Sequence, residues 1–447
     1  MNQVPSQHRS ARLQNAFQRL EDCLPMRING RVNRVVGIII EGHGPGVTVG
    51  TNCVIYPTDG GPPVTAEVVG FNRNRTLLMP IGPISGIGPG SRILALRKHP
   101  AVAVGPGMLG RVLDGLGRPI DGRGPLQVET TYPLHADPIN PLQRDIIDQP
   151  LDVGVASINT LLTCGKGQRM GIFAGSGVGK SVLMGMVARN TAADVSVIAL
   201  VGERGREVRE FIEHDLGPDG LARSVVVVAT SDQPPLIRLR GAFTATAIAE
   251  YFRDRGRDVV LLMDSVTRLA MSQREVGLAI GEPPTTKGYT PSVFNLLPRL
   301  LERAGNVTGA GSITGLYTVL VEGDDMNDPV ADSVRSIIDG HIVLSRELAM
   351  ENHYPAVDVL QSISRVMNHI IDADHRDAAQ RLIRVLSAYR RSEDLIKIGA
   401  YSAGSNPETD YAIAHIEAVR SFLRQDIACR RSFSDSVIEL KGLLPNG

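Results

Sequence analysis

The spacing of hydrophobic positions changes rhythm along the chain, and each change predicts a different architecture. Between Ile28 and about Leu96, short apolar and β-branched runs recur: Val35–Glu41, Cys53–Pro57, Val64–Phe71, Thr76–Ile81 and Arg92–Leu96. Stretches rich in Gly and Pro, residues 42–46 and 59–63, punctuate them. Many short strands at this spacing predict a small barrel or sandwich. Residues 100–150 carry Asp114-Gly115 and Asp121-Gly122 turns and then Pro133, Pro138, Pro141 and Pro150, and read as a largely irregular connector. Beyond it the runs Val195–Val201, Ser224–Ala229, Val259–Met263, Ile313–Val321 and His341–Leu344 are almost continuously apolar, as strands of a parallel sheet covered on both faces must be. Helical stretches such as Glu207–His214 and Phe243–Arg255 lie between them. After about Ile371 the strands stop. Leu382, Val385, Leu386 and Tyr389, and then Ile413, Ile416, Val419 and Leu423, fall at helical spacing on either side of a break at residues 404–407. The expected divisions are residues 1–26, a barrel over 27–97, an α/β domain over 98–370 and a helical domain over 371–447.

A chain of 447 residues exceeds one ordinary core, and 43% hydrophobic with 21% charged residues is the composition of a soluble globular protein. Lys plus Arg and Asp plus Glu both total 47, so no global field draws the chain to nucleic acid or to an anionic membrane. The barrel offers only Tyr56 and Phe71 for base stacking, and the chain has no Trp. A structural, ring-forming role suits that barrel better than binding of single strands. Cys23, Cys53, Cys164 and Cys429 lie far apart without CxxC spacing, against a zinc site or a disulfide framework. The N-terminus lacks the apolar core of a signal peptide, and no run approaches the roughly 20 apolar residues of a membrane span, so membrane association is expected to be peripheral. From Ser10 to about Asp22, Leu13, Ala16, Phe17 and Leu20 recur at helical spacing. A helix packed on the first domain and an amphipathic docking helix fit that pattern equally.

The chemistry centres on Met170–Ser181, MGIFAGSGVGKS. A short apolar strand breaks into Ala174, Gly175, Ser176, Gly177, Val178 and Gly179, then Lys180 and Ser181 open a helix. This is the strand, loop and helix of a phosphate-binding P-loop, with Ala174 where the general pattern has Gly. Glycines let successive N–H groups converge on one anion beside the helix N-terminus. Lys180 then reaches the β- and γ-phosphates, and the Ser181 hydroxyl holds Mg2+. The run Asp258–Asp264 is an apolar strand ending in a carboxylate suited to Mg2+. Glu203, in Val201-Gly202-Glu203-Arg204-Gly205-Arg206-Glu207, follows another buried strand. It is placed either to activate the attacking water or to pair with Arg204 or Arg206 at the surface. Tyr354 stacks on adenine or is an ordinary half-buried ring, and Arg365 is an arginine able to stabilise transition-state charge. Local pattern leaves both open.

In order, AGSGVGKS, GERGREV, LLMDSVTR, GEPPTTKGYTPSVF, VEGDDMNDPVADSVRSIIDGHIVLSR and HYPAVDVLQSISRV resemble the catalytic subunits of rotary ATPases. More narrowly, they look like the ATPase of the bacterial type III export apparatus in its flagellar form. The resemblance runs from about Gly30 to the C-terminal helices. It implies an α/β fold: a RecA-like P-loop core with an N-terminal β-barrel and a C-terminal helical domain. It also implies six identical copies in a ring with nucleotide sites at the seams. Residue by residue, it makes Glu203 the catalytic glutamate, places Arg204 and Arg268 around the γ-phosphate, and puts Glu207 near the waters of a Mg2+ held by Ser181 and Asp264. Tyr354 faces adenine, and Arg365 reaches into the neighbouring subunit's site. The loop 281–289 lines a central channel that meets a coiled-coil stalk protein. A regulatory stator-like protein docks on the N-terminal segment, and export-gate membrane proteins, export substrates and their chaperones complete the partners, with no nucleic acid among them. The implied place is the cytoplasm, peripheral at the inner membrane's cytoplasmic face. GVGKSVLMGMVAR favours the flagellar branch over the virulence injectisome, where Thr often stands at the position of Ser181. An RNA-translocating ring fits the neutral charge poorly, and Glu203 argues against a ring subunit that only binds nucleotide.

Overall fold

Six short strands close on themselves at the N-terminal end. The computed structural model describes residues 29–96, 100–321, 323 and 325–444. The helix expected over Ser10–Asp22 and the docking segment 1–26 lie outside these residues. Strands β1 (Asn29–Val36), β2 (Ile39–His43), β3 (Asn52–Tyr56), β4 (Val64–Asn72), β5 (Arg75–Pro80) and β6 (Arg92–Ala95) form a closed barrel. The order is β1-β2-β5-β4-β3-β6, and β1 pairs back onto β6. Val32, Ile40, Cys53, Ile55, Ala66, Val68, Leu78 and Ile93 fill the interior from alternate positions. The single strand expected over Val35–Glu41 is instead a hairpin. Gly37, at φ +57°, turns the chain between β1 and β2, a conformation that glycine takes without steric cost.

The chain separates into two units, Met1–Pro100 and Ala101–Gly447. In the second, the connector is less irregular than expected. It holds β7 (Ala101–Val104), β8 (Arg111–Asp114) and β9 (Thr130–Pro133). β8 is the outermost strand of the main sheet and runs parallel to β12 (Ser224–Ala229). Four residues are too few for a periodic signal, and pairing with β12 decides their conformation. The Asp turns do form: Asp114 Oδ1 accepts the N–H groups of Leu116 and Arg118 at 2.9 and 2.8 Å. Asp121 receives the Arg111 guanidinium at 2.7 and 2.8 Å and the Val112 N–H at 3.1 Å.

The remaining strands of this sheet are β10 (Arg169–Ala174), β11 (Val195–Val201), β13 (Asp258–Asp264), β14 (Gly305–Asn306), β15 (Ser312–Leu320), β16 (Gly340–Leu344) and β17 (Ile363–Ser364). Their order is β17-β16-β10-β15-β13-β11-β12-β8, with β14 beside β15. From β16 to β8 the neighbours are parallel, so the carboxyl ends of β10, β11, β13 and β15 share one edge. Helix α1 (Lys180–Asn190) follows β10, and α2 (Pro235–Arg253) follows β12. α2 starts eight residues before the expected Phe243, because Pro235 fits the first turn of a helix, where its missing N–H costs nothing. Past residue 371, α3 (Ala373–Lys397), α4 (Pro407–Leu423) and α5 (Phe433–Leu443) carry no strands between them. Leu382, Val385, Val419 and Phe422 of α3 and α4 belong to the same apolar core as Ile172 and Leu183. Cys53, Cys164 and Cys429 are free thiols, and burial pushes Cys53 up to about 11. Among the described residues no helix is long and apolar enough to cross a membrane.

Candidate active site

Parallel pairing delivers the chemistry-bearing residues to one edge of the sheet. β10 ends at Ala174, 2% exposed, and the chain turns through the P-loop into α1. Gly177 and Gly179 adopt φ of +79° and +92°, which L side chains rarely take. A Cβ on Gly179 would lie 3.4 Å from the Tyr354 ring, so that half-buried ring rests against the loop. Ser181 opens on solvent.

Two neighbouring strands supply acids. β13 ends in Asp264, 2% exposed, and the Asp264–Ser265 peptide is cis. After β11, Gly202 turns at φ +72° into Glu203, itself 6% exposed. Lys180 Nζ contacts Asp264 Oδ1 directly and lies 3.4 Å from Glu203 Oε1. Arg268 Nη1 stands 3.2 Å from Glu203 Oε2 and donates to the Gly202 carbonyl. A Cβ on Gly202 would sit 3.0 Å from the Arg268 side chain, so the glycine makes room for this arginine. Thr318 Oγ1 donates to Asp264 Oδ1 at 2.7 Å. No local signal marks Thr318, one hydroxyl in an apolar strand, and only the β13–β15 register brings it to the acid.

The pairing of Glu203 with Arg204 or Arg206 does not form. Arg204 pairs with Glu207 at 3.4 Å and Arg206 with Glu210 at 2.7 Å, all near the surface. Glu203 faces inward. Burial above all, then its hydrogen bond with Glu207 and the charge of Asp264, push its carboxyl up to about 7, against the pull of Lys180 and Arg268. Glu207 is held below its usual range, mainly by that hydrogen bond and then by Arg204 and Arg268. For the base role proposed below, Glu203 must be ionised, and that form is lost as pH falls through about 7. We expect kcat/KM for ATP, which reports the free enzyme, to drop about tenfold per pH unit below that point. A limb near 4.5, the ordinary value, would contradict the environment of Glu203.

Arg365 is not part of this cluster. It follows β17, which pairs antiparallel with β16, and its N–H donates to the Asp339 carbonyl at 3.0 Å. Asp339 in turn is clamped by Arg169 at the start of β10. Arg365 therefore sits level with the first residue of β10, about 17 Å along the strands from Ala174 at ~3.3 Å per residue. Exposed at the opposite edge, it is beyond reach of its own P-loop.

The donors suit Mg2+: the Ser181 hydroxyl, the Asp264 carboxylate and the partly exposed Glu207 are hard oxygens. An ion that keeps most of its water needs only one or two protein carboxylates.

Residues 154–364 match the ATP synthase alpha/beta family, nucleotide-binding domain. Residues 32–97 match that family's beta-barrel domain, and 371–442 the T3SS EscN ATPase C-terminal domain. The flagellum-specific ATP synthase of Pseudomonas aeruginosa is 54% identical over 94% of each chain. A type 3 secretion system ATPase of Xanthomonas euvesicatoria is 54% identical over 89% of each. Among solved structures, the assembled ATPase EscN in complex with its central stalk EscO, from the enteropathogenic E. coli type III secretion system, superposes with a TM-score of 0.85. The two are 44% identical, over 93% of this chain and 99% of that one. With barrel, nucleotide-binding and C-terminal parts all matched, the chain belongs to the ATP synthase alpha/beta family, in its branch of flagellum-specific and type III secretion ATPases, and it is an ATPase.

Proposed function

We propose that identical copies of this chain close a ring, six in number, that hydrolyses MgATP to energise export of flagellar proteins. Each seam joins one subunit's Lys180, Asp264 and Glu203 to the next subunit's Arg365. The observation that carries this reading is the separation of Arg365 from the P-loop within one chain, while Lys180, Asp264, Glu203, Arg268 and Tyr354 gather at that loop. In the free chain the Lys180 ammonium rests on two carboxylates. On binding, it exchanges them for the β- and γ-phosphates, which frees Glu203 to take a proton from the attacking water. Arg268 keeps Glu203 oriented, and Arg365 from next door meets the charge that builds on the transferring group. Ser181 and Asp264, with Glu207 through water, would hold Mg2+, which supplies charge neutralisation at the phosphate oxygens. Tyr354 packs on the adenine.

The stalk lines up with the loop 281–289, where Lys287 is already paired with Asp325 and Asp328 at 3.2 and 3.3 Å. Export-gate proteins, substrates and chaperones are the remaining partners, and the ring works at the cytoplasmic face of the inner membrane with a regulator on its N-terminal segment. The P-loop carries Ser181, which favours the flagellar over the injectisome branch.

Turnover measured with particle mass, by light scattering during MgATP hydrolysis, tests the ring. Activity is expected to climb steeply with protein concentration as assembly proceeds, to vanish with EDTA, and to respond to a cognate export chaperone but not to RNA. A monomer active at every concentration would defeat the reading.

A further inference from the structure

The stretch from Tyr354 to Arg365 carries two nucleotide-facing groups with different duties. Tyr354 lies on its own subunit's P-loop, and Arg365 faces a neighbour. Between them, one buried carboxylate organises the chain. Asp358, 5% exposed, accepts the N–H groups of Leu360 and Gln361 on Oδ1 at 3.0 and 3.2 Å. Its Oδ2 accepts Gln361 Nε2 at 2.9 Å and Arg390 Nη1 at 2.8 Å. The main chain of Asp358 is clipped to β16: its N–H donates to the Val343 carbonyl at 2.9 Å. Its carbonyl accepts Ser362 Oγ at 2.6 Å, and that hydroxyl accepts the Val343 N–H at 2.9 Å.

Arg390 comes from α3, in the C-terminal helical layer. A second tie joins the same layer to the other end of the stretch, where the Gln425 N–H donates to the Tyr354 carbonyl at 2.9 Å. Gln425 is itself anchored, its side chain bonded to the Ala156 N–H at 2.9 Å and the Gly154 carbonyl at 2.8 Å. A cavity of about 110 Å³, lined among others by Leu348, Val357, Leu386 and Tyr389, lies beside the Arg390–Asp358 pair. Residues between Ser345 and Leu360 form one wall of this solvent-open cleft and residues of α3 and α4 the other, so the Arg390–Asp358 pair bridges the two layers where they part.

We propose that Arg390 is a positioning residue: through Asp358 it passes the position of the C-terminal helices to Tyr354 and Arg365 together, and so couples two adjacent nucleotide sites. This rests on the ring reading above. A displacement of α3 by any partner pulls on Asp358, and the clipped turn carries the motion both to the adenine contact and to the seam.

The test is steady-state kinetics on the full-length assembled chain, alongside thermal denaturation. Arg390→Met is expected to lower kcat about tenfold and raise KM for ATP severalfold, the scale of one charge-assisted hydrogen bond. Arg390→Lys, which keeps the cation, is expected to retain activity within about threefold. Asp358→Asn combined with Arg390→Met is expected to be no worse than Asp358→Asn alone, because both remove one linkage. A merely structural ion pair would shift the denaturation midpoint and leave kcat and KM of the folded protein unchanged. That result, or strictly additive effects in the double variant, overturns the proposal. Should methionine prevent folding, Arg390→Gln carries the same comparison. A wild-type chain that hydrolyses ATP as a monomer defeats the ring as well, whereas an active wild-type ring indifferent to Arg390→Met defeats this coupling alone.

Discussion

Changing Arg365 to alanine is expected to cut ATP turnover by about 10³-fold or more, the range of an arginine supplied in trans to a phosphoryl-transfer site. MgATP affinity should hardly change. The cause is positional. Arg365 lies at the sheet edge opposite the P-loop, its backbone fastened to Asp339 and the Asp339 carboxylate gripped by Arg169. Exposed there and beyond reach of its own P-loop, Arg365 is expected to act in a neighbour's site, where its loss removes charge stabilisation from the transition state only. The decisive form of the experiment mixes Arg365→Ala subunits with Glu203→Gln subunits, each inactive alone. Seams that pair an intact Glu203 with an intact Arg365 should recover part of the turnover. If no mixing ratio recovers any, Arg365 does not act across a seam.

The Glu203→Gln change is the second large effect. Turnover should fall by about 10² to 10⁴, the contribution of a positioned general base, while ATP binding is kept or tightened. Glutamine preserves shape but cannot take a proton. It also removes one of the two carboxylates that hold Lys180 in the free chain, so the ammonium is easier to transfer to phosphate. Equilibrium binding of a fluorescent ATP analogue beside single-turnover hydrolysis separates the two effects. The same substitution has a stability consequence with a definite sign. The folded-state carboxyl titrates at about 7, above its ordinary 4.5, so the folded chain holds a proton the unfolded chain has released between those values. Stability from this group is therefore present below about 4.5 and lost as pH rises through about 7. Denaturation midpoints of the Glu203→Gln chain should be less sensitive to pH across that window than those of the native chain. An equal pH response in both would contradict the raised value.

Much of the site was legible along the chain because phosphate binding is local chemistry. The glycines, Lys180 and Ser181 occupy consecutive positions, and the apolar runs before Asp264 and Glu203 announce buried strands with acids at their ends. Other features were not legible. β8 is four residues held by a partner far away in sequence, and the β1–β2 hairpin hides in an apolar run. Arg204 and Glu207 both stand beside Glu203 in sequence, yet one folds outward to the surface while the other shares a hydrogen bond with it. Thr318, Gln425 and Arg390 carry no pattern at all. Each matters only through a contact with a residue tens of positions away.

The order and spacing of residues were enough to determine a small barrel or sandwich, a parallel P-loop sheet and a helical tail, and to nominate the phosphate, metal and water-activating groups. Periodicity and short motifs depend on near neighbours, which the chain states outright. Only the tertiary structure decided where the charges point. It turned Glu203 inward to Lys180 and Arg268, sent Arg204 to the surface, and put Arg365 at the far edge of the sheet. Those outcomes follow from strand register and burial, which balance desolvation against pairing across the whole fold.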